Sequence, residues 1–324
     1  MTTYKEIKGT QIEVLASDPS NPVEGQVWYN STSNVLKGQA ATTVGAWATG
    51  GSMNTARFSL AGAGASNSSA LAFGGRPYTA ITESYDGTSW TEVNDLNTAR
   101  GQLGGAGTQT SALGFGGEGP PTTAATESWN GTSWTEVNDL NAAKNFPGNA
   151  GADNTAALAF GGSPAPSVGT QNEIWNGTNW TETTDLNTAR YSMGCAGIST
   201  AALGAGGDTI PGAASALTEQ WNGSNWTEVG DLNTARYGIG GAGLYTSALV
   251  FGGFSPPDRG QTEEWNGTNW TEVADISPAR RYLAGAGTQS SALAFGGMLA
   301  TSAVNTTEEW LGAGAGLTRT FTDS

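Results

Sequence analysis

The chain has 324 residues, a formal net charge of −15 and no histidine. Its length suits one large all-β domain, and its charge argues against nucleic-acid partners and against binding to anionic membranes. The single cysteine excludes an internal disulfide and a cysteine-based metal site. We find no signal peptide and no apolar run of membrane-spanning length, so we expect no membrane insertion and assembly in a cytoplasm.

Residues 1–46 lie outside any repeat and predict a small N-terminal arm. Gln26–Asn30, followed after a polar turn by Val35–Lys37, predicts a short hairpin that carries Trp28 and Tyr29. This arm is either an attachment module, with these two aromatic residues as its contacts, or a segment that packs on the main domain.

A repeat begins at residue 47. Most copies contain a stretch like Trp129–Trp134, in which Asn-Gly lies between two extended runs. Asn-Gly at such a place predicts a hairpin with a type I′ turn, which needs positive φ at both central residues. One basic residue marks each copy, at intervals of 43 to 46 residues: Arg57, Arg100, Lys144, Arg190, Arg236 and Arg280. The spacing is near that of a four-stranded propeller blade, so the sequence predicts six blades.

The two ends of the repeat region complement each other. The last copy stops after its third strand, near Trp310, whereas the first copy is preceded by an unmatched outer strand at Trp47. If the N-terminal strand completes the C-terminal blade, both observations are explained and no open edge remains. We therefore predict an all-β, six-bladed β-propeller of four-stranded antiparallel blades over residues 47–311, followed by a C-terminal tail at 312–324.

Each copy keeps one order: basic residue, small-residue strand, Gly-Gly, variable loop, Glu-x-aromatic, turn and Trp. This order resembles the kelch repeat over residues 47–311, although the strands here are unusually short and rich in Ala, Gly and Thr, and the copies are nearly identical. Near-identical kelch-like arrays behind a leader such as Gly25–Asn30 also resemble structural proteins of tailed bacteriophages, particularly marine ones. The resemblances imply a kelch-like propeller and a place in a virion.

An acidic series accompanies the basic series: Glu83, Glu127, Glu173, Glu219, Glu263 and Glu308. Either each basic residue pairs with a glutamate of its own or a neighbouring blade, or the arginines form a ring that holds an anionic ligand. Six copies of both series favour pairing. Lys144 lacks the bidentate fork of arginine, so we predict a weaker seam there. The periodic tryptophans are expected to fill the gaps between adjacent blades.

The loop after each Gly-Gly differs in every copy, whereas the strands repeat. These loops all emerge on one face of a propeller, and recognition residues are expected there. Six loop residues are candidate ligand- or receptor-binding positions: Arg76, Tyr78, Asp208, Phe254, Asp258 and Arg259. Unconstrained drift of the loops explains the variation nearly as well.

Catalysis finds little support, because no histidine is present to act as a general base or a copper ligand. We expect no catalytic residue, no metal and no cofactor. The leading hypothesis is a non-enzymatic phage virion protein that displays the propeller for adhesion to a host-surface glycan or protein, as in a tail fibre or appendage. The alternatives are a capsid decoration or tail protein that binds only virion partners, and a glycoside hydrolase that uses Asp208 and Asp258.

The leading hypothesis also predicts the partners of the chain. The N-terminal arm would bind other virion proteins, and the chain would be a homo-oligomer or present in several copies in the assembly. It would be made in the host cytoplasm and end in the virion.

Overall fold

A computed structural model describes residues 12–19, 26–41, 44–163, 169–209, 213–313 and 316–321. The chain divides into two compact units, Ala46–Leu311 and a second that joins Met1–Gly45 with Gly312–Ser324. All regular secondary structure in these ranges is β-strand, which confirms the predicted fold class. Within the same ranges we find no helix with the length and apolarity needed to cross a membrane.

The smaller unit is one sheet built from both ends of the chain. Its strands are β1 (Glu13–Leu15), β2 (Val27–Asn30), β3 (Val35–Ala41) and β32 (Gly316–Phe321), in the order β1-β2-β3-β32. The hairpin of β2 and β3 lies where the sequence predicts it. The C-terminal tail, predicted as a segment of its own, pairs antiparallel with β3 as β32. Neither segment belongs to the repeat, so no periodicity indicates this pairing.

The larger unit contains six four-stranded antiparallel sheets. Blade 1 is β5 (Ala61–Ser66), β6 (Ser69–Phe73), β7 (Thr82–Tyr85) and β8 (Trp90–Val93), and blade 2 is β9 (Gly104–Gly107), β10 (Ala112–Phe115), β11 (Thr126–Trp129) and β12 (Trp134–Val137). Blade 3 is β13 (Gly148–Asp153), β14 (Ala156–Phe160), β15 (Asn172–Trp175) and β16 (Trp180–Thr183), and blade 4 is β17 (Gly194–Ile198), β18 (Ala201–Ala205), β21 (Thr218–Trp221) and β22 (Trp226–Glu228). Blade 5 is β23 (Gly240–Leu244), β24 (Ser247–Phe251), β25 (Thr262–Trp265) and β26 (Trp270–Val273), and blade 6 is β27 (Ala284–Thr288), β28 (Ser291–Phe295), β31 (Thr307–Leu311) and β4 (Ala46–Thr49). Two short hairpins, β19 (Asp208–Thr209) with β20 (Ala213–Ala214) and β29 (Met298–Leu299) with β30 (Ser302–Ala303), lie in the loops of blades 4 and 6.

The sheets close into a ring. The N-terminal strand β4 pairs antiparallel with β31, and Trp47 lies opposite Trp310. The first strands of successive blades contact one another in order, and β27 contacts β5 to complete the circle. The predicted six-bladed propeller, closed by the strand at Trp47, is confirmed.

Small residues line the axis because the first strands approach each other closely. A Cβ atom added to Gly105 would lie 2.9 Å from the carbonyl oxygen of Gly62 in the preceding blade. One added to Gly241 would lie 2.4 Å from the carbonyl oxygen of Cys195. Contacts this short leave no room for a larger side chain, which explains the Ala/Gly composition of these strands.

Tryptophan joins each blade to the one before it. The ring of Trp134 in blade 2 lies 4.8 Å from that of Phe73 in blade 1, and its Nε1 donates to Thr82 Oγ1 at 3.0 Å. Equivalent bonds join Trp90 to Thr307, Trp180 to Thr126, Trp270 to Thr218 and Trp47 to Thr262. The seam between blades 3 and 4 differs, because Asn172 replaces the threonine and Trp226 Nε1 has no hydrogen-bond partner among the described residues.

Each member of the basic series pairs with the glutamate on the third strand of the blade that follows it. The pairs are Arg57–Glu83, Arg100–Glu127, Lys144–Glu173, Arg190–Glu219, Arg236–Glu263 and Arg280–Glu308. All of these side chains are buried, so the predicted pairing is confirmed and these arginines are not available to an anionic ligand. Burial lowers the pKa of Arg57 to about 10, although the charge of Glu83 opposes this shift.

The outer turns differ from the type I′ prediction. Trp129 pairs with Trp134, so the connection has four residues rather than two, and only Gly131 has a positive φ, of 91°. Asn130 Oδ1 accepts hydrogen bonds from the amides of Thr132 and Ser133, each at 2.9 Å. The hairpin exists as expected, but the type I′ assignment is wrong, because the asparagine side chain itself satisfies the turn amides.

Candidate ligand-binding face

Six residues, one from each blade, close one end of the propeller axis with a ring of backbone hydrogen bonds. This axial ring consists of Ser59, Gln102, Phe146, Ser192, Gly238 and Tyr282. Each amide donates to the carbonyl of the ring member in the preceding blade, at 2.6 to 3.4 Å. Every φ in the ring lies between 49° and 65°, and five of the six residues are not glycine. Such residues cost roughly 1–3 kcal/mol each in this region, a strain that the ring of hydrogen bonds offsets.

The residue before each ring member forms an isolated β-bridge with the first residue after Gly-Gly. The bridged pairs are Phe58–Arg76, Gly101–Glu118, Asn145–Ser163, Tyr191–Asp208, Tyr237–Phe254 and Arg281–Met298. Because these pairs adjoin the axial ring, they surround the axis, and we call this surface the axial face. No two pairs have the same composition, although the blades that carry them are nearly identical.

An aromatic cluster covers much of the axial face. Its members are Phe58, Phe146, Tyr191, Tyr237, Phe254 and Tyr282, all of them half-buried. The ring of Tyr282 lies 5.4 Å from Phe146, 6.2 Å from Tyr237 and 6.5 Å from Phe58. Phe146 in turn lies 6.1 Å from Tyr191, and Tyr237 lies 5.5 Å from Phe254. The cluster offers a ligand a connected surface of large, rigid rings whose hydroxyls can form hydrogen bonds.

Asp208 is the most buried charged residue of the axial face, with 4% of its surface exposed. Its Oδ2 accepts a hydrogen bond from the hydroxyl of Tyr191 at 2.7 Å. Its Oδ1 is buried and has no hydrogen-bond partner among the residues that the structure describes. Burial, and then the bond to Asp208, raises the pKa of Tyr191. Burial, and then the nearby Tyr237, raises the pKa of Tyr282 to about 12, so both tyrosines are neutral donors at physiological pH.

Asp258 and Phe254 hold Arg281 in place. The guanidinium of Arg281 forms an ion pair with Asp258 and lies over the ring of Phe254, 4.4 Å from its centroid. Asp258 Oδ2 also accepts a hydrogen bond from the amide of Ala300 at 2.8 Å. Asp208 and Asp258 lie in adjacent blades, but Asp258 is committed to Arg281, so its role here is to position an arginine.

The remaining predicted loop residues form no hydrogen bond or ion pair with Asp208 in the described part of the chain. Arg76 pairs with Glu118 at 2.6 Å and donates to the hydroxyl of Tyr78, also at 2.6 Å. Tyr78 has 37% of its surface exposed, which makes it accessible to a partner. Arg259 donates from Nε to the carbonyl of Ser255 at 2.7 Å, so it stabilises its own loop.

The predicted arm contacts, Trp28 and Tyr29, differ in exposure. Trp28 is fully buried within its unit, and its Nε1 donates to Asp18 at 3.1 Å. Hydrogen bonds from Lys37, Asn30 and Trp28 lower the pKa of Asp18 to about 2. Tyr29 is half-buried and donates weakly to Asn34 at 3.3 Å. Trp28 therefore stabilises the unit itself, and the attachment role of the arm stays a prediction.

Two cavities lie along the axis beneath the axial ring. The cavity next to the ring has a volume of about 100 Å³, and the one at the far end has a volume of about 240 Å³. Asn149 and Cys195 line both, at a level where the other four blades have glycine. Burial raises the pKa of the Cys195 thiol to about 12, so it is protonated and a poor nucleophile at neutral pH. Among the described residues we find no cluster of acidic and cysteine side chains that could hold a metal ion.

Three of the predicted binding residues belong to the bridged pairs of the axial face: Arg76, Asp208 and Phe254, which directly follow Gly-Gly. Their role in binding stays a prediction. The sequence prediction missed the bridged partners and the ring residues, including Tyr191, Tyr237 and Tyr282, because these stand outside the variable loops. A usable signal was present, since the residue after each member of the basic series takes five different types in six copies, within an otherwise repeated segment.

Comparisons with known proteins identify the fold. No protein-family model matches the chain, and no curated protein matches it. A solved structure of YjhT superposes with a TM-score of 0.66 and 13% sequence identity, over 80% of this chain and 96% of that one. At this identity the similarity concerns the fold alone. Together with the closed ring of six four-stranded sheets, it shows that the chain is a β-propeller.

Proposed function

We propose that the chain is a binding protein and that its axial face recognises a host-surface carbohydrate. One observation carries the proposal: six half-buried aromatic rings form a connected cluster, and one of them, Tyr191, is bonded to a buried carboxylate whose other oxygen has no partner among the described residues. Rings of this kind stack on the apolar faces of sugars, and carboxylates and tyrosine hydroxyls bond to sugar hydroxyl groups. A few polar groups among aromatic side chains are typical of ligand sites.

A binding role fits the residues of the axial face better than catalysis does. The chain has no histidine, and Asp258 is occupied by Arg281 and by the amide of Ala300. A glycoside hydrolase needs two carboxylates that face one substrate bond, one of them free to donate a proton. The contacts of Asp258 favour a fixed charge over that role.

We also propose that the propeller is displayed on a phage particle, in a tail fibre or appendage. The support is the resemblance of the repeats, and of the leader before them, to kelch-like structural proteins of tailed phages. In this proposal the arm binds other virion proteins, and several copies are present in each particle. Antibodies against the propeller should label purified particles at the tail or its fibres. Label confined to the capsid would favour a decoration role instead.

A glycan array tests the binding proposal. The purified full chain is applied to the array beside two variants, Tyr237→Ala on the axial face and Tyr245→Ala in the turn between β23 and β24 at the other end of the propeller. Tyr245 is exposed, so its loss should leave both the fold and the axial face intact. We expect binding to be abolished in the first variant and retained in the second. Absence of glycan binding by the wild-type chain, or equal loss in both variants, would contradict the proposal.

A further inference from the structure

Asp208 has no counterpart in the rest of the molecule. The equivalent positions after Gly-Gly are occupied by Arg76, Glu118, Ser163, Phe254 and Met298. Glu118 pairs with Arg76, whereas within the described residues no lysine or arginine lies at ion-pair distance from Asp208. A nearly inaccessible carboxylate without a cation is therefore specific to blade 4, and the propeller scaffold does not require it.

The two oxygens of Asp208 have different partners. Oδ2 is bonded to Tyr191, but Oδ1 is buried without a donor in the described part of the chain. Leaving a buried charged acceptor unpaired is costly, and such a group in a native protein calls for an explanation, such as a bound water, an ion or a functional role. Oδ1 is therefore suited to receive a hydrogen bond from outside the protein.

The neighbours of Asp208 indicate which donors fit. Burial is the main cause of the raised pKa of Tyr237 and of Tyr282, and the charge of Asp208 adds to both shifts, so the two phenols lie within reach of its field. The aromatic rings provide apolar surface beside the carboxylate. Arg281 acts on the same two phenols in the opposite direction, but it is paired with Asp258 and forms no ion pair with Asp208 in the described part of the chain. A second negative charge brought to this place would be repelled at low local dielectric, whereas a hydroxyl or amine would be attracted.

We propose that Asp208 is a specificity-determining residue, which accepts a hydrogen bond from a non-anionic sugar residue stacked on the aromatic cluster and excludes sugars that carry a carboxylate, sulfate or phosphate there. This inference rests on the proposed carbohydrate-binding function and adds the charge class of the ligand. Neutral sugars and amino sugars share the required chemistry, a donor without negative charge.

The test compares matched sugars on the wild-type chain and on two asparagine variants. Dissociation constants are measured for neutral, amino and uronic-acid forms of the sugar that the array identifies. Asp208→Asn removes the charge with little change in shape. Asp86→Asn is the control, because asparagine already stands at the equivalent turn position in blades 2 to 5, at Asn130, Asn176, Asn222 and Asn266.

We expect the wild-type chain and Asp86→Asn to prefer the neutral or amino form over the acidic form. Asp208→Asn should weaken binding of the preferred form by about 10- to 100-fold and reduce the discrimination against the acidic form. If Asp208→Asn fails to fold, Tyr191→Phe is used instead: it keeps the carboxylate and the ring, and the preference for non-anionic sugars should persist.

The outcomes separate the two proposals. If the wild-type chain binds no sugar, the proposed function fails and this inference fails with it. If the wild-type chain binds sugars but prefers acidic forms, or if Asp208→Asn binds and discriminates as the wild type does, only the inference is overturned. Loss of the preference in Tyr191→Phe would likewise overturn it, since the carboxylate is still present.

Discussion

The seams between blades and the axial face derive from the same six copies of one repeat, but the copies behave differently in the two regions. In five of the six seams, a tryptophan of one blade donates to a threonine of the blade before it. Every blade also has its buried pair of a basic residue and a glutamate. On the axial face, six equivalent positions after Gly-Gly carry six different residue types.

Packing explains the difference. A side chain in a seam packs between two blades, and the geometry of the gap is nearly the same in every seam. The same residues therefore fill each gap, and substitutions there cost stability. A residue on the axial face has the axis and solvent before it, so little packing constrains its identity. Six near-identical blades can therefore present one asymmetric surface, and the parts of the chain that do not repeat are where a specific ligand can be recognised.

The largest expected effect comes from breaking a buried pair of the scaffold. Arg190 donates to Glu219 at 2.8 Å and to the carbonyls of Gly206 and Leu217 at 2.7 and 2.6 Å. Arg190→Leu leaves Glu219 charged and buried, so we expect a loss of about 3–5 kcal/mol in the free energy of unfolding. Urea denaturation followed by tryptophan fluorescence measures it. A loss below about 1 kcal/mol would show that the pair does not hold the scaffold.

The next largest expected effect is a loss of folding stability at alkaline pH, which originates in Tyr282 of the axial face. An unfolded tyrosine loses its proton near pH 10, whereas Tyr282 in the folded protein keeps its proton to about pH 12. Above pH 10 the unfolded state therefore binds fewer protons than the folded state, and stability falls as the pH rises. For Tyr282 alone we expect a loss of about 2 kcal/mol by pH 12.

Denaturation at pH 9 and pH 11.5, with Tyr282→Phe as the control, measures this effect. The variant lacks the phenol, so its stability should fall less between the two pH values than that of the wild type. If both proteins lose the same stability, the alkaline sensitivity arises elsewhere, for example at Tyr85, whose pKa is also raised by burial and by its hydrogen bond to Glu309.

The sequence allowed the seams to be predicted and left much of the axial face hidden, for physical reasons. A basic residue at the position of Arg57 and a glutamate at that of Glu83 recur in every copy, so their pairing can be inferred without coordinates. Closure at Trp47 follows from counting strands at the two ends of the repeat. Phe146 and Tyr282, in contrast, have a left-handed backbone conformation. A glycine in the sequence would have indicated this conformation, whereas a tyrosine or phenylalanine gives no such indication. Only the ring of hydrogen bonds, which links residues far apart in the chain, explains it.

The smaller unit was predicted in part for a similar reason. The hairpin that carries Trp28 has the alternation and turn of a local structure, so the sequence indicates it. The pairing of β3 with β32 joins segments about 280 residues apart, and one strand pair without a repeat leaves no pattern in a single sequence.

The seam between blades 3 and 4, which lacks the Trp–Thr hydrogen bond, allows the contribution of that bond to stability to be tested, with a smaller expected effect. Trp226 Nε1 and Asn172 Oδ1 are both buried without a hydrogen-bond partner among the described residues. Asn172→Thr restores the residue found in the other seams, at the cost of the bond from Asn172 Nδ2 to the carbonyl of Thr184. We expect a net gain of about 1 kcal/mol in unfolding free energy. The mirror variant, Thr126→Asn, removes the acceptor of Trp180 and should lose a similar amount. If both variants change stability in the same direction, the tryptophan bond does not set the strength of a seam.

The smallest expected effect comes from Arg76→Leu, which replaces an arginine of the axial face in the way that Arg190→Leu replaces one of the scaffold. Arg76 also forms an ion pair, with Glu118 at 2.6 Å, but the two side chains are 32% and 24% exposed. Solvent screens such a pair, and Glu118 would be rehydrated once Arg76 is gone, so Arg76→Leu should change the free energy of unfolding by less than about 1 kcal/mol. The same urea titration measures it beside Arg190→Leu. Similar losses in the two variants would mean that the axial face supports the fold as the seams do, and its variation between blades would then need an explanation other than freedom from packing.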